Sequence, residues 1–271
     1  MTEIKSNINS GLCLFCKQKV DSTSGIEHII PESLGNKNLF LKRGIVCQKC
    51  NCKLGKLDDN FIHHSYNVVF KLNQNFITKK EKLPSTLFKD IVLMKNPNGT
   101  IRVAKSKKHK KEDEVFEIKK NGTAEYLLRF HQDINPLLIS RFLAKVGIET
   151  LFFQRNEFAF KNRFDNLRNY AIGKGDITFF KFGLKELNTS SFYTQLMILM
   201  SCDEIIDKPE QILYFVWLCV PFALYFFPLD KISETIALER ICKLHGLKLI
   251  DSNKKSTQEY EFWFPKLIKQ Q

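Results

Sequence analysis

Apolar residues change their spacing several times along this 271-residue chain, and each change predicts an element. Residues 91–94 and 101–103 are apolar-rich runs on either side of Asn96-Pro97-Asn98-Gly99, and residues 115–118 and 124–128 flank Asn121-Gly122. Short runs around Pro, Gly and Asn turns predict two β-hairpins. From Asn135 the spacing becomes helical: Leu138, Phe142, Val146 and Leu151 recur through about Phe153, behind Asn135 as N-cap and Pro136 as first helical residue. A second helix is predicted over 162–171, stopped by Gly173 and Gly175, and an amphipathic helix over 233–245, ended by Gly246. Residues 260–264 read as a last strand or docking segment.

The most apolar stretch, 212–227, holds Trp217 and six Phe or Tyr. Its sixteen residues fall short of the roughly twenty that cross a bilayer, and Pro221 interrupts them. Two buried strands joined near Val220-Pro221 are expected, with a short membrane anchor as the minority alternative.

Before residue 60 the pattern gives way to chemistry. Cys13/Cys16 and Cys47/Cys50 are two CxxC pairs thirty residues apart, enough to supply four thiolates to one tetrahedral zinc with a hairpin between them. Free cysteine is most often a small buried hydrophobe, but paired CxxC turns argue against that reading here. A disulfide framework is disfavoured by only eight cysteines in 271 residues and by an opening, Met1-Thr-Glu-Ile-Lys5, without the apolar run of a signal peptide. A reducing cytoplasm and a structural zinc are therefore expected. Cys52, Cys202, Cys219 and Cys242 stand outside ligand spacing and read as core or surface thiols, with Cys52 near enough to replace Cys50 in a variant.

Between the pairs lies Glu27-His28-Ile29-Ile30-Pro31, and Asn51 follows the last cysteine directly. With Cys13-Leu-Phe-Cys16, the run Glu27 to Gly35, and Ile45-Val-Cys-Gln-Lys-Cys-Asn-Cys-Lys-Leu-Gly55, the segment of about residues 10–62 resembles the HNH (His-Asn-His) endonuclease family, in the branch with two CxxC knuckles. The resemblance implies a ββα-metal fold: two short strands carrying the acid–histidine dyad, then a helix beginning near Asn51. It also implies that Glu27 and Asn51 are metal ligands. The family's middle residue, which orients the histidine, is assigned to Asn38, while Asn36 after Gly35 reads as a turn residue tolerating positive φ. Asp59, four residues past Leu-Gly, matches an acid found in related sequences, but a solvated helix-end carboxylate is its commoner fate. His63 and His64 read equally as a surface pair, and these residues stay outside the expected site.

The chemistry stands beside the resemblance. In-line phosphodiester cleavage needs a base to deprotonate water and a hard cation beside the phosphate. An unperturbed imidazole titrates near neutrality, which suits His28 to the first task. Magnesium or manganese prefers a few oxygen ligands and keeps water and phosphate for the rest, which suits Glu27 and Asn51 to the second.

Charge fits a nucleic-acid partner: the chain carries a formal +13 and a pI near 9.3. Its richness in Lys, Asn, Ile and Phe together could equally follow from AT-rich coding sequence. Lys42, Arg43, Lys49, Lys53 and Lys56 are the more pointed candidates, because they lie within the motif and could flank a scissile phosphate. The run 105–111 is followed at once by Glu112-Asp113-Glu114 and reads as a solvated, internally paired loop. The 24 Phe, mostly past residue 66, read first as core and second as base-stacking groups.

The expected fold class is α+β: a small zinc-stapled HNH module over 1–65 followed by a mixed α+β companion domain over 66–271. The expected activity is metal-dependent cleavage of DNA, with RNA left open. The companion would supply target selection, homo-oligomerisation or response to an activating ligand or partner, and no membrane partner is expected. Two alternatives stay in view: a zinc-ribbon-like module that binds nucleic acid without cutting, and a defence effector nuclease unleashed through the companion domain.

Overall fold

The computed structural model describes residues 11–21, 24–34, 36, 38–63, 85–88, 91–95, 101–105, 115–120, 123–174, 181–186, 193–202, 211–220, 223–251 and 256–264. In chain order the elements are β1 (Glu27–His28), a 3-10 turn (Glu32–Leu34), β2 (Phe40–Leu41), α1 (Gln48–His63), β3 (Ser85–Phe88), β4 (Ile91–Lys95), β5 (Ile101–Lys105), β6 (Val115–Lys120) and β7 (Thr123–Ile134). Then come α2 (Pro136–Arg155), 3-10 turns at Asn156–Phe160 and Asn162–Phe164, α3 (Asp165–Ala171), β8 (Lys181–Glu186), β9 (Tyr193–Cys202), β10 (Gln211–Val220), β11 (Ala223–Pro228), α4 (Lys231–His245), β12 (Lys248–Asp251) and β13 (Ser256–Phe264). The class is α+β, with antiparallel pairing in every described ladder.

The elements gather into two compact units. One comprises Met1–Pro31, Lys37–Asn60 and Asn135–Lys254, and the other Glu32–Asn36, Phe61–Ile134 and Lys255–Gln271. α2 and the elements from it through β12 fall in the same unit as the cysteine-rich segment, and β13 falls in the other.

In the first unit, α2 is the central helix. Asn135 Oδ1 accepts from the Leu138 backbone N–H at 3.0 Å, Pro136 opens the first turn, and the helix then buries residues on nearly every side, including Phe142, Leu143, Val146, Ile148 and Leu151. Its buried hydroxyls are satisfied locally: Thr150 donates to the Val146 carbonyl at 2.7 Å, and Ser140 Oγ lies 2.6 Å from Tyr170 Oη on α3. Arg168, buried on α3, donates to the carbonyls of Ala159 and Lys161 and to Asp165, which fixes the 3-10 turns that lead into that helix.

A five-stranded sheet, order β12-β8-β11-β10-β9, completes this unit. The apolar run around residue 220 forms β10 and β11 as expected, paired with Trp217 opposite Tyr225 and Leu218 opposite Leu224, while residues 221–222 lie outside the described set. Phe226, Leu238, Cys242 and Leu247 form a core cluster where α4 lies on the sheet. Gly183 on β8 permits that approach, since a Cβ there would stand 2.9 Å from Cys242 Sγ. Gly246, at φ +63°, ends α4 as its position in the sequence suggests.

The second unit holds two three-stranded sheets, β13-β7-β6 and β3-β4-β5. Both expected hairpins are present: Met94 pairs with Arg102, and Ile118 with Glu125. Their turns, at 96–99 and 121–122, and most of the basic run 105–111 lie outside the described residues. Among the described residues no helix is long and apolar enough to cross a membrane.

Candidate active site beside a four-cysteine cluster

Two knuckles bring four thiols together. The first is a tight turn in which Cys13 N–H donates to the Gln18 carbonyl at 2.7 Å and Lys17 N–H to the Cys13 carbonyl at 2.9 Å, with Lys17 itself at φ 55°. The second runs into the first turn of α1, with Cys47 just before the helix and Cys50 inside it, and the Cys47 N–H points at Cys13 Sγ, 3.3 Å away. Leu14 N–H donates to the Ile45 carbonyl at 2.9 Å and ties one knuckle to the other.

The ligand atoms of Cys13, Cys16, Cys47 and Cys50 all lie within 4.8 Å of one another. Cys16 Sγ and Cys47 Sγ are 3.7 Å apart, close to the ~3.8 Å that a tetrahedron of ~2.3 Å zinc–sulfur bonds requires. A hydrogen bond from Cys50 holds the Cys13 thiol down to about 4, and that same contact, with burial, pushes Cys50 far up. Burial and the charge on Cys13 raise Cys47. Four thiols at this spacing form the donor set of a structural zinc site. Cys52 is exposed and near Gln48, outside the quartet.

β1 and β2 form the hairpin between the knuckles, with Glu27 opposite Leu41 and His28 opposite Phe40. The Ile29 N–H donates to the Leu39 carbonyl at 3.1 Å, and Gly44, at φ +86°, donates to Ser24 Oγ at 2.8 Å. Glu27 is 5 % exposed, and the Nδ1 edge of His28 is closed off from solvent. Asn51 stands in the first turn of α1, which starts at Gln48, three residues earlier than the resemblance implies. Its side-chain Nδ2 comes within 3.3 Å of where a Cβ on Gly25 would sit. Gly25, two residues before Glu27, therefore gives the Asn51 amide room beside the strand that carries the dyad.

Asn38 is exposed, two residues before the partner of His28. Asn36 is buried. Lys42, Arg43, Lys49, Lys53 and Lys56 are all exposed. Lys49, Lys53 and Lys56 share one face of α1 by their spacing.

The site contains a group that the sequence reading did not single out. Lys145 of α2 is fully buried, and its Nζ lies 2.9 Å from Glu27 Oε1, 2.8 Å from the His28 carbonyl, and 2.8 and 3.0 Å from the two oxygens of Asp58 on α1. Glu149, one turn further along α2, is also fully buried and 3.7 Å from the same nitrogen. Burial alone would lower the Lys145 ammonium, but Asp58, Glu149 and Glu27 outweigh it and hold it above its ordinary value. Burial pushes Asp58 up to about 6 and Glu149 well above the carboxylate range, each against the pull of Lys145. Asp59, the acid the sequence pattern favours, is exposed. The available signal is the position of Lys145 and Glu149, three and seven residues past Phe142 on the apolar stripe of α2.

A second link joins the knuckle to α3: Lys17 Nζ donates to Asn162 Oδ1 at 2.8 Å and pairs with Asp165 Oδ1 at 2.7 Å.

Residues 13–66 match a family model described as HNH endonuclease. No curated protein and no solved structure matches the chain.

Proposed function

With the match over residues 13–66 as premise, we propose that this protein is a divalent-metal-dependent endonuclease that hydrolyses phosphodiester bonds in DNA. The observation that carries the reading is the Glu27-His28 pair, buried Glu27 beside half-buried His28, on a hairpin stapled at its base by four clustered thiols, with Asn51 beside the same strand.

His28 is the general base. Its Nδ1 is shut away, which leaves Nε2 to take the proton from an incoming water. Glu27 and Asn51 offer a carboxylate and an amide oxygen, a donor set suited to magnesium or manganese, which retain water and phosphate in their remaining positions. Bound there, the ion would neutralise charge on the leaving oxygen. Asn38 is the orienting residue for His28, and Lys42, Arg43, Lys49, Lys53 and Lys56 hold the DNA backbone. The zinc quartet keeps the hairpin and α1 in register.

Plasmid cleavage by zinc-loaded protein in magnesium, manganese or EDTA, beside His28→Ala, tests this. The reading requires nicking or linearisation that depends on both the ion and His28. Binding without cleavage under every condition would favour the zinc-ribbon-like alternative.

A further inference from the structure

An ammonium has three N–H bonds to give. Lys145 gives them to the His28 carbonyl at 2.8 Å and to the two Asp58 oxygens at 2.8 and 3.0 Å, and its charge also pairs with Glu27 Oε1 at 2.9 Å. Glu149, at 3.7 Å, is left without a hydrogen-bond partner on either oxygen among the described residues. The ammonium is therefore committed to the dyad strand, by a hydrogen bond to the His28 carbonyl and an ion pair with Glu27, and to Asp58 of α1.

The dyad itself is two residues on a two-residue strand, and a carboxylate on so short an element has rotational freedom unless something holds it. We propose that Lys145 is a positioning residue of the nuclease site. It clamps Glu27 by one oxygen and the His28 peptide by its carbonyl, so that the other Glu27 oxygen faces the divalent cation and the His28 ring keeps its orientation. Groups that orient a metal ligand from behind are typically worth about 10–100-fold in metal affinity or activity.

The consequence concerns what constitutes the site. The segment that matches the nuclease family ends at residue 66, whereas the clamp comes from a helix beginning at Pro136. The site is complete only when α2 is in place. This inference rests on the nuclease reading above and adds to it a residue that lies outside the family segment.

The test uses the full-length, zinc-loaded chain. Lys145→Met alone leaves three carboxylates, Glu27, Asp58 and Glu149, around the vacated site and is liable to unfold, so the decisive variant is Lys145→Met combined with Asp58→Asn, which removes one charge of each sign. Manganese affinity is read by electron paramagnetic resonance, and kcat and KM by plasmid nicking, with zinc content and near-ultraviolet circular dichroism as fold controls.

The expected result is a folded variant with its zinc, a manganese affinity lowered about tenfold or more and a kcat lowered about 100-fold at saturating manganese, with KM for DNA nearly unchanged. Asp58→Asn alone, which keeps the clamp, should stay within about threefold of wild type in manganese affinity. Unchanged or tighter manganese binding in the double variant, or loss of zinc and fold in it, overturns the positioning role and makes Lys145 a structural cation or a competitor of the metal. Wild-type protein that cleaves while the double variant behaves like it overturns this inference alone. Wild-type protein that neither binds manganese nor cleaves overturns the nuclease reading with it.

Discussion

Asp58 of α1 and Lys145 of α2 meet in a two-pronged ion pair, Nζ to Oδ2 at 2.8 Å and to Oδ1 at 3.0 Å, across 87 residues of chain. Removing one partner of a buried pair leaves the other uncompensated. Asp58→Ala should therefore cost about 3 kcal/mol, the low end for such losses, because Glu27 and the His28 carbonyl still hold the ammonium. Asp59→Ala, one residue on and exposed, should stay within about 0.5 kcal/mol. Urea unfolding of the two variants checks this, and equal costs would mean that the pair contributes nothing specific.

Zinc should separate the cysteines into two groups. Structural zinc contributes on the order of 10 kcal/mol of folding energy, comparable to the whole stability of a domain. Cys13→Ser or Cys50→Ser, each altering a buried member of the quartet, should release the ion and unfold the hairpin. Cys52→Ser, altering an exposed thiol outside the quartet, should keep one zinc per chain and full stability. A colorimetric zinc assay with thermal melts reads both, and a stable, zinc-free Cys13→Ser protein would contradict the assignment.

The sequence made the knuckles, the hairpin dyad and α2 legible because each rests on local spacing: CxxC turns, an acid–histidine pair, and an N-cap followed by proline. The hairpins β4–β5 and β6–β7, and the pair β10–β11, were legible for the same reason. What stayed hidden was non-local. Lys145 and Glu149 stand in sequence as an i,i+4 pair within an apolar helical stripe, and only the packing of α2 against β1 and α1 makes Lys145 the buried partner of Glu27 and Asp58. The grouping of the zinc segment with α2 in one unit is non-local in the same way. Strands β8, β9 and β12 carry no turn signature of the Asn-Gly kind at their ends, and they find their places through sheet pairing alone.

Sheet packing yields a prediction independent of the active site. A Cβ at Gly183 would come within 2.9 Å of Cys242 Sγ and 3.1 Å of Leu247 Cδ1. Gly183→Ala should destabilise by about 1–3 kcal/mol through overpacking between β8 and α4. Combining it with Cys242→Ala removes the nearer clash, so the double variant should be more stable than the sum of the singles by about 0.5–2 kcal/mol. A double-mutant cycle in denaturant measures that coupling, and strict additivity would show that the two positions do not crowd each other.

Lys49, Lys53 and Lys56 lie exposed on one face of α1, the helix that also carries Cys50 of the quartet and Asn51. If that face tracks a DNA backbone, each lysine releases about one counterion, and log Kobs falls with log salt by ~0.9 per contact. Replacing all three with alanine in a His28→Ala background, where cutting cannot intervene, should weaken binding alike for every duplex sequence and flatten the salt slope by about 2 to 3. Fluorescence anisotropy over graded salt gives the slope directly. A weaker affinity with an unchanged slope would place the DNA backbone on another surface, and a loss confined to one sequence would mean that these side chains read bases rather than phosphates.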